Sequence, residues 1–512
     1  MSGKTFYITT AIDYVNSKPH LGTAYEKVAA DIIARYHRLI GDDVLFLMGN
    51  DEHSQKVEAA ARAQGLSPLA WCDLMEKEFR DAWKALDISF DDFIRTTEPR
   101  HVAAVKEMLT RIHAAGDVYQ DVYEGWYCTG CEAFKNEGDL VDGKCPDHLS
   151  TAPTFLEEKN WFFRLSKYES FLKDYYAEHP DFVRPAIRRN ELTSLLDSGL
   201  KDISISREGA TWGVPVPFDE TAVVYVWFDA LINYIAGLGW PDDSERFERY
   251  WPADLHLIGK DITRFHCIIW PAMLKSAGLP LPAQVFGHGF VNMGKDRMSK
   301  SLGTAVDPQS LADRFGADAL RWYLTSEAGF GKDLEYGEDR LVERANTDLA
   351  NGLGNLLSRS VSMLVRYLGG VVPAPPAAPP MRSKVEEAVP VYREALDDLD
   401  LKGAADAAMS IVHRANVYVD EKAPWAMAKD PAQKDALAGV LYELMESCRV
   451  AGVLLTPFMP AKMAELRERL GEDAEAAPKI DDASWGGLPE GRKLTKPSPL
   501  FTKLALDEAD AS

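Results

Sequence analysis

No apolar stretch among the 512 residues comes near the ~20 that a membrane-spanning helix requires. The N-terminus also lacks the basic start and the apolar run of about 7–15 residues that mark a secretory leader. A strand-like segment, Phe6-Tyr7-Ile8-Thr9-Thr10, begins almost at once instead. Positive charge is in deficit, with 57 Lys and Arg against 79 Asp and Glu and a net charge of −22. That balance excludes a protein that coats nucleic acid non-specifically, although a sum over the surface leaves room for one local basic face. Cysteine is sparse: Cys72, Cys128, Cys131, Cys145, Cys267 and Cys448 are too few for a disulfide framework in a chain of this size. The expectation is a soluble, cytoplasmic protein with no membrane association. What the chain does have, 46% hydrophobic and 27% charged residues, suffices for a large core. At roughly 150 residues per domain, about three domains are expected.

The hydrophobic pattern divides the chain. Residues 1–116 alternate strand and helix signals: strand-like Phe6–Thr10 and Asp43–Met48, helical Thr23–Ile40 and Ser54–Gln64. Such βαβ order predicts an α/β fold with a Rossmann-type parallel sheet. Residues 117–225 break that rhythm with short segments, glycines and the cysteine cluster, and read as an insertion. Residues 226–340 resume it, with Leu255–Ile258 and Val285–Val291 as strands and Ile262–Lys275 as a helix. Residues 341–490 are helical, with apolar periodicity over Leu341–Leu368, Val385–Leu399, Lys402–Glu421 and Lys434–Leu455. The proline-rich run 373–380 interrupts them as an extended connector. Residues 491–512 form a C-terminal tail, frayed over Asp507–Ser512.

Two distant segments suit a nucleotide. The first strand leads to His20-Leu21-Gly22-Thr23, where a helix begins. A helix N-terminus offers unpaired amides and partial positive charge to phosphate. Gly22 has no side chain to keep a flat base off the backbone, and His20 can hydrogen-bond a phosphoryl oxygen. Far downstream, Gly294 to Gly303 bracket a loop carrying Lys295, Arg297 and Lys300. Cations on such a loop can close over a triphosphate and stabilise charge as pyrophosphate departs.

The pair resembles the HIGH and KMSKS signatures of class I aminoacyl-tRNA synthetases, carried here by His20-Leu21-Gly22-Thr23 and Arg297-Met298-Ser299-Lys300-Ser301. Thr23 replaces the usual second histidine, and Arg297 replaces the first lysine while keeping its charge. Over about residues 5–500 the chain looks specifically similar to the methionyl-tRNA synthetase family. Ala11-Ile12-Asp13-Tyr14-Val15-Asn16, Gly49-Asn50-Asp51-Glu52-His53, Tyr225-Val226-Trp227-Phe228-Asp229-Ala230 and Gly259-Lys260-Asp261-Ile262 carry that likeness. It implies a methionine pocket lined by Ile12, Tyr14, Trp227, Ala230, Tyr234, Ile262 and His266, with Asp51 on the substrate ammonium. It also implies ATP contacts at His20, Gly22, Thr23 and Lys300, and catalytic roles for His20, Lys295, Arg297 and Lys300. The chemistry is coherent on its own terms: a thioether packs well against aromatic rings, and a carboxylate holds an ammonium by a charge-assisted bond. Asp229 and Asp261 read equally well as helix caps.

Cys128-Thr129-Gly130-Cys131 followed by Cys145-Pro146-Asp147-His148 supplies three sulfurs and one imidazole, the spacing of a closed tetrahedral zinc site. A redox pair of thioredoxin type would not require the second knuckle. Four protein ligands leave no open position, so one structural Zn²⁺ per chain is expected, besides the Mg²⁺ that accompanies ATP. In the helical part, Asn355 and Arg359 lie four apart on one face and Trp425 follows a later helix. They are placed like the anticodon-reading residues of the family, and such side chains hydrogen-bond and stack splayed bases. The expected activity is therefore a methionine–tRNA ligase: methionine and ATP give methionyl-AMP, and the methionyl group passes to the 3′ end of tRNA. A monomer is expected, because the dimerising C-terminal domain of some relatives has no counterpart. The alternatives are a class I synthetase for another small amino acid such as cysteine, a non-catalytic tRNA-binding relative, and a small nucleotidylyltransferase with only the first signature.

Overall fold

The computed structural model describes residues 3–506 apart from 129–132, 136–137, 139, 147–151, 295, 299–304, 474–475 and 497, with backbone alone at 123–124, 133–135, 156–158 and 296–297. Its centre is a seven-stranded parallel sheet. Thr5–Thr10 lies between Asp43–Asp51 on one side and Leu255–Gly259 on the other, with Ile8 opposite both Phe46 and Leu255. Asp92–Arg95 extends the sheet beyond Asp43–Asp51; Val285–His288 and then Val183–Arg184 extend it beyond Leu255–Gly259. The short strand Asp13–Tyr14 continues beside the end of Asp43–Asp51, setting Tyr14 opposite Asp51.

The central strands carry apolar runs because both faces are covered. Phe6, Ile8, Phe46 and Met48 pack on one side with the Leu21–Ile40 helix, and Tyr7, Leu45 and Leu47 pack on the other with Pro99–Ala114. From Thr5–Thr10 the chain winds outward to Asp43 and Asp92, then returns to the opposite side at Leu255. The order therefore reverses between Thr5–Thr10 and Leu255–Gly259, and the crevice at that reversal is where such sheets bind ligands.

Two features of the second half depart from the sequence reading. The helix expected over Ile262–Lys275 is present and unbroken from Lys260 to Ser276, but its winding changes along it, from 3₁₀ at Lys260–Ile262 to π-helical at Phe265–Ile269 and α at Trp270–Ser276. The strand expected over Val285–Val291 ends at His288. At Gly289 a Cβ would sit 2.2 Å from the Lys332 backbone, so the chains pass too closely for a side chain. Val291–Met293 then leaves the sheet to pair with Asp296–Arg297 and Leu334–Glu335.

Within 117–225, Val118–Cys128 and Thr154–Phe163 form a long antiparallel hairpin, with Val118 opposite Phe163 and Tyr127 opposite Thr154. Val183–Arg184, from the same stretch, returns to the edge of the parallel sheet. The helical part runs through Glu338–Arg344, a π-helical segment Ala345–Gly354 and Asn355–Leu368, then Pro380–Asp397, Leu401–Lys422, Lys434–Leu455 and Pro460–Arg469. Pro380 opens its helix, where the missing amide costs nothing, so that helix starts earlier than the apolar periodicity indicates. Residues 491–506 pack back on the bundle: Lys493 bridges to Val371, Leu494 and Leu500 are buried, and Asn346 exchanges two hydrogen bonds with the Leu504 backbone. Residues 507–512, expected to fray, lie outside those described. Among the described residues no helix is long and apolar enough to cross a membrane.

Candidate active site

The Leu21–Ile40 helix starts immediately after His20, which is its N-cap. The His20 ring folds back so that Nδ1 accepts from the Thr23 amide at 3.3 Å, while Thr23 Oγ1 accepts from the His20 amide at 3.2 Å and donates to His20 O at 2.7 Å. This reciprocal arrangement is a capping box. It gives Thr23 a physical role, closing the turn. An Nδ1 that accepts a backbone hydrogen bond puts the proton of the neutral ring on Nε2, the tautomer suited to donating to a phosphoryl oxygen. The lack of a side chain at Gly22 also serves the turn itself. A Cβ there would lie 2.9 Å from His20 Cε1, so the space it leaves is filled by the histidine's own ring.

The first signature segment is bonded to the chain just beyond the cationic loop. Leu21 N donates to Val306 O at 2.9 Å, joining the first residue of the helix to the chain emerging from the cationic loop. The other end of that loop is a short hairpin, Asn292 opposite Arg297, with Met298 buried and its amide bonded to Val291 O. Lys260 braces the stem, donating to both oxygens of Asp333 at 2.6 and 2.9 Å, while Asp333 also accepts from the Phe290 amide. Lys295 and Lys300 lie outside the described residues, as does the side chain of Arg297.

A buried charged group ties three strand ends together. Lys27 donates to Ala11 O at 2.7 Å and pairs with Asp13 and Glu26 at 3.1 and 2.8 Å; Glu26 meets His288 at 2.9 Å. Burial would raise the Glu26 carboxyl, but Lys27 and His288 hold it below its ordinary value. No sequence motif announced this set, since Lys27 and Glu26 read as ordinary residues of an amphipathic helix.

The residues expected to line a methionine pocket are brought together by the sheet. Tyr14 stands opposite Asp51, and its ring meets Trp227 edge-on at 5.9 Å. Ile12 lies against Gly49, where a Cβ would be 2.9 Å from Ile12 Cγ2. Tyr234 Oη donates to His266 Nε2 at 2.6 Å, and His266 Nδ1 donates to Ile262 O at 3.1 Å. Burial pushes His266 down to about 4, so the ring is neutral and its hydrogen bonds fix the Nδ1–H tautomer. Asp51, Ala230, Tyr234 and His266 are buried. Phe265, which sequence reasoning missed, stacks on Trp227 with ring centroids 4.0 Å apart. The π-helical turn at Phe265–Ile269 accompanies this, and such turns occur frequently at functional sites. Asp229 is not a helix cap as the sequence allowed: its carboxylate meets His53 Nδ1 at 2.8 Å and His101 Nε2 at 2.9 Å.

Elsewhere, Cys128 ends the Val118–Cys128 strand and Cys145 follows the bridge between Val141 and Lys144; both are buried. Cys131 and His148 lie outside the described residues. Among the described residues no group of three or more metal-binding side chains occurs. On the helical part Asn355 is exposed, and Arg359 lies over the Trp425 ring at 5.7 Å from its centroid. Trp425 is 42% exposed rather than part of a core. Ala423, with φ of 47°, is held in the left-handed region just before it, turning the chain so that the indole faces outward.

Comparison with known proteins gives a consistent result. The family model described as tRNA synthetases class I (M) matches residues 6–152 and 148–361, and the anticodon binding domain of methionyl tRNA ligase matches residues 374–511. A methionine–tRNA ligase of Caldanaerobacter subterraneus subsp. tengcongensis is 46% identical over 99% of this chain and 80% of its own length. One from Thermosynechococcus vestitus is 43% identical over 98% of each. The Mycobacterium tuberculosis methionyl-tRNA synthetase in complex with methionyl-adenylate superposes with a TM-score of 0.93 at 43% identity, covering 97% of this chain and 99% of that one. The apo form of the Mycobacterium tuberculosis enzyme gives 0.86 at 40% identity, covering 99% of each.

Proposed function

The chain belongs to the methionyl-tRNA synthetase family of class I aminoacyl-tRNA synthetases and is a methionine–tRNA ligase, and from that premise we propose which of its residues perform each step. Methionine lies in the box of Ile12, Tyr14, Trp227, Ala230, Tyr234, Ile262 and His266, with its ammonium on Asp51. ATP, with its Mg²⁺, lies at the start of the Leu21–Ile40 helix. His20 donates through Nε2 to a phosphoryl oxygen, and the helix N-terminus adds its partial positive charge. The methionine carboxylate attacks the α-phosphorus, and pyrophosphate leaves. Nothing in this step requires a covalent nucleophile from the protein; it requires positioning and neutralisation of charge. Lys295, Arg297 and Lys300 supply the latter from the loop. The tRNA 3′-terminal ribose hydroxyl then attacks the adenylate carbonyl, releasing AMP.

The observation that supports this reading is the hydrogen bond from Leu21 N to Val306 O, which ties the helix start to the chain that follows the cationic loop. Arg359, Asn355 and Trp425 form the anticodon-reading face, supported by the outward indole and the guanidinium over it. The test is amino-acid-dependent ATP–pyrophosphate exchange followed by tRNA charging. Exchange is expected with methionine and not with cysteine. Trp425→Ala should leave exchange unchanged and lower charging about 10–100-fold, the loss of one base stack. An equal fall in both activities would remove Trp425 from tRNA recognition.

The donor types of the cysteine cluster suit zinc. Two of the four candidate ligands, Cys128 and Cys145, are buried thiols of the soft donor type that Zn²⁺ takes as thiolates. With Cys131 and His148 they would hold one structural ion, which would supply no chemistry to the reaction. Elemental analysis should give about one zinc per chain, and Cys145→Ser should lose it. A native protein that binds Zn²⁺ no more tightly than the Cys145→Ser variant would refute the site.

A further inference from the structure

The wall of the methionine pocket stands on a helix too short to hold itself. Val226–Ala230 has five residues, with no side-chain cap at its start, and so short a helix owes its position to tertiary contacts. The contacts converge on Asp229, which is fully buried and lies between the two pocket residues Trp227 and Ala230. One of its oxygens faces His101, in the first turn of the Pro99–Ala114 helix; the other faces His53, two residues beyond Asp51. Three separate stretches of chain thus meet at a single carboxylate. Burial alone would raise that carboxyl, yet the two imidazoles hold it down at about 2, so it is ionised throughout the working range.

The partner segment is braced as firmly. Trp212 packs edge-on against the His53 ring with centroids 5.5 Å apart and donates its indole N–H to Glu52 O at 2.6 Å. The Glu52 amide donates to Thr96 Oγ1, and its carboxylate takes Arg95 Nε at 2.6 Å and the Thr97 hydroxyl. The loop that follows Asp51 therefore has little freedom of its own. What remains to be set is the distance from that loop to the Trp227 helix, and the two are joined through His53 and Asp229.

We propose that the His53–Asp229–His101 bridge is a positioning device that sets the separation between the ammonium-binding carboxylate and the aromatic wall, and so determines which side-chain length the site accepts. The inference rests on the methionine pocket proposed above. None of the three residues is assigned contact with substrate. They act through Asp51 on one side and Trp227 on the other.

Methionine-dependent exchange tests it. Asp229→Asn keeps the shape but removes the charge and turns one of the two acceptors into a donor, so one imidazole must change tautomer or lose its bond and the bridge is weakened on that side. KM for methionine should rise at least tenfold, with kcat falling less than threefold and KM for ATP unchanged. Preference for methionine over ethionine, one methylene longer, should fall at least fivefold. His53→Ala and His101→Ala should do the same. His53→Asn and His101→Gln place an amide donor near the lost Nδ1 or Nε2 and should restore most of the preference. Should Asp229→Asn not fold, the paired variants at His101 carry the same comparison with the carboxylate in place. Variants that lower thermal stability but keep the methionine KM and the ethionine preference would reduce the bridge to a structural brace, and a parallel rise in KM for ATP would also overturn the proposal. Asp51→Ala separates the two levels of inference: an unchanged methionine KM there would show the pocket itself to be misassigned, whatever the bridge variants do.

Discussion

Replacing Lys300 by alanine is expected to lower methionine-dependent pyrophosphate exchange by about 10²–10³-fold, the cost typical of removing one preorganised group that meets charge in a transition state. The unfolding transition should not move. Both ends of the loop are secured by residues other than Lys300: Met298 is buried, the Val291–Met293 strand pairs on two sides, Lys260 and Asp333 brace the stem, and Val306 is bonded to Leu21. A substitution between such anchors should therefore leave folding untouched. Arg297 in the same loop retains a cation, so some catalysis should survive, and Lys300→Arg should recover part of the loss. Exchange within a few-fold of the unsubstituted enzyme would show that the loop does not reach the nucleotide.

The second large effect concerns Arg321, which should make the chain about 3–5 kcal/mol less stable when replaced by leucine, as when one member of a buried ion pair is removed. Arg321 and Asp31 have fully buried side chains and meet at 2.7 Å. The guanidinium also donates to Phe458 O at 3.0 Å, Pro457 O at 2.8 Å and Leu86 O at 3.1 Å. It thus fastens the turn after Lys434–Leu455 to the helix that begins at His20. Burial would raise the Asp31 carboxyl, but Arg321 and Arg35 hold it below its ordinary value. A depressed carboxyl contributes stability that is present above the ordinary carboxylate range and is lost as pH falls through the folded value. The penalty of Arg321→Leu should accordingly be largest near neutral pH, where the buried Asp31 carboxylate is left with Arg35 and Ser89 but without its buried partner, and shrink in acid as Asp31 protonates. Thermal or urea unfolding at two pH values checks this, and a penalty independent of pH would mean that the lost carbonyl contacts matter and the ion pair does not.

Most of the architecture could be read before any coordinates, for a simple reason. Phe6–Thr10, Asp43–Met48 and Leu255–Ile258 are covered on both faces, so they stand out as apolar runs whatever surrounds them. The helices of the second half announce themselves by period. Val183–Arg184 could not be found this way, because two residues make no run and join the sheet only through their neighbours. The change of winding within Ile262–Lys275 is equally silent, since a π-helical turn keeps the apolar composition and shifts only which side chains share a face. Candidate site residues were legible where they sit in short contiguous motifs, as at His20 and at Trp227. The bridge at Asp229 was not, because its partners lie 128 and 176 positions away in sequence and a lone aspartate at a helix start has a commoner explanation. Thr23 was legible as a departure from pattern, but its reciprocal bonds with His20 needed the backbone to be seen.

Those reciprocal bonds have a kinetic meaning. An imidazole clasped by its own turn gives up its rotameric freedom once, as the chain folds, and does not give it up again with each nucleotide that enters. The backbone amide at the position of the second signature histidine thus keeps the first one still, while the threonine side chain there ties down only the turn's backbone.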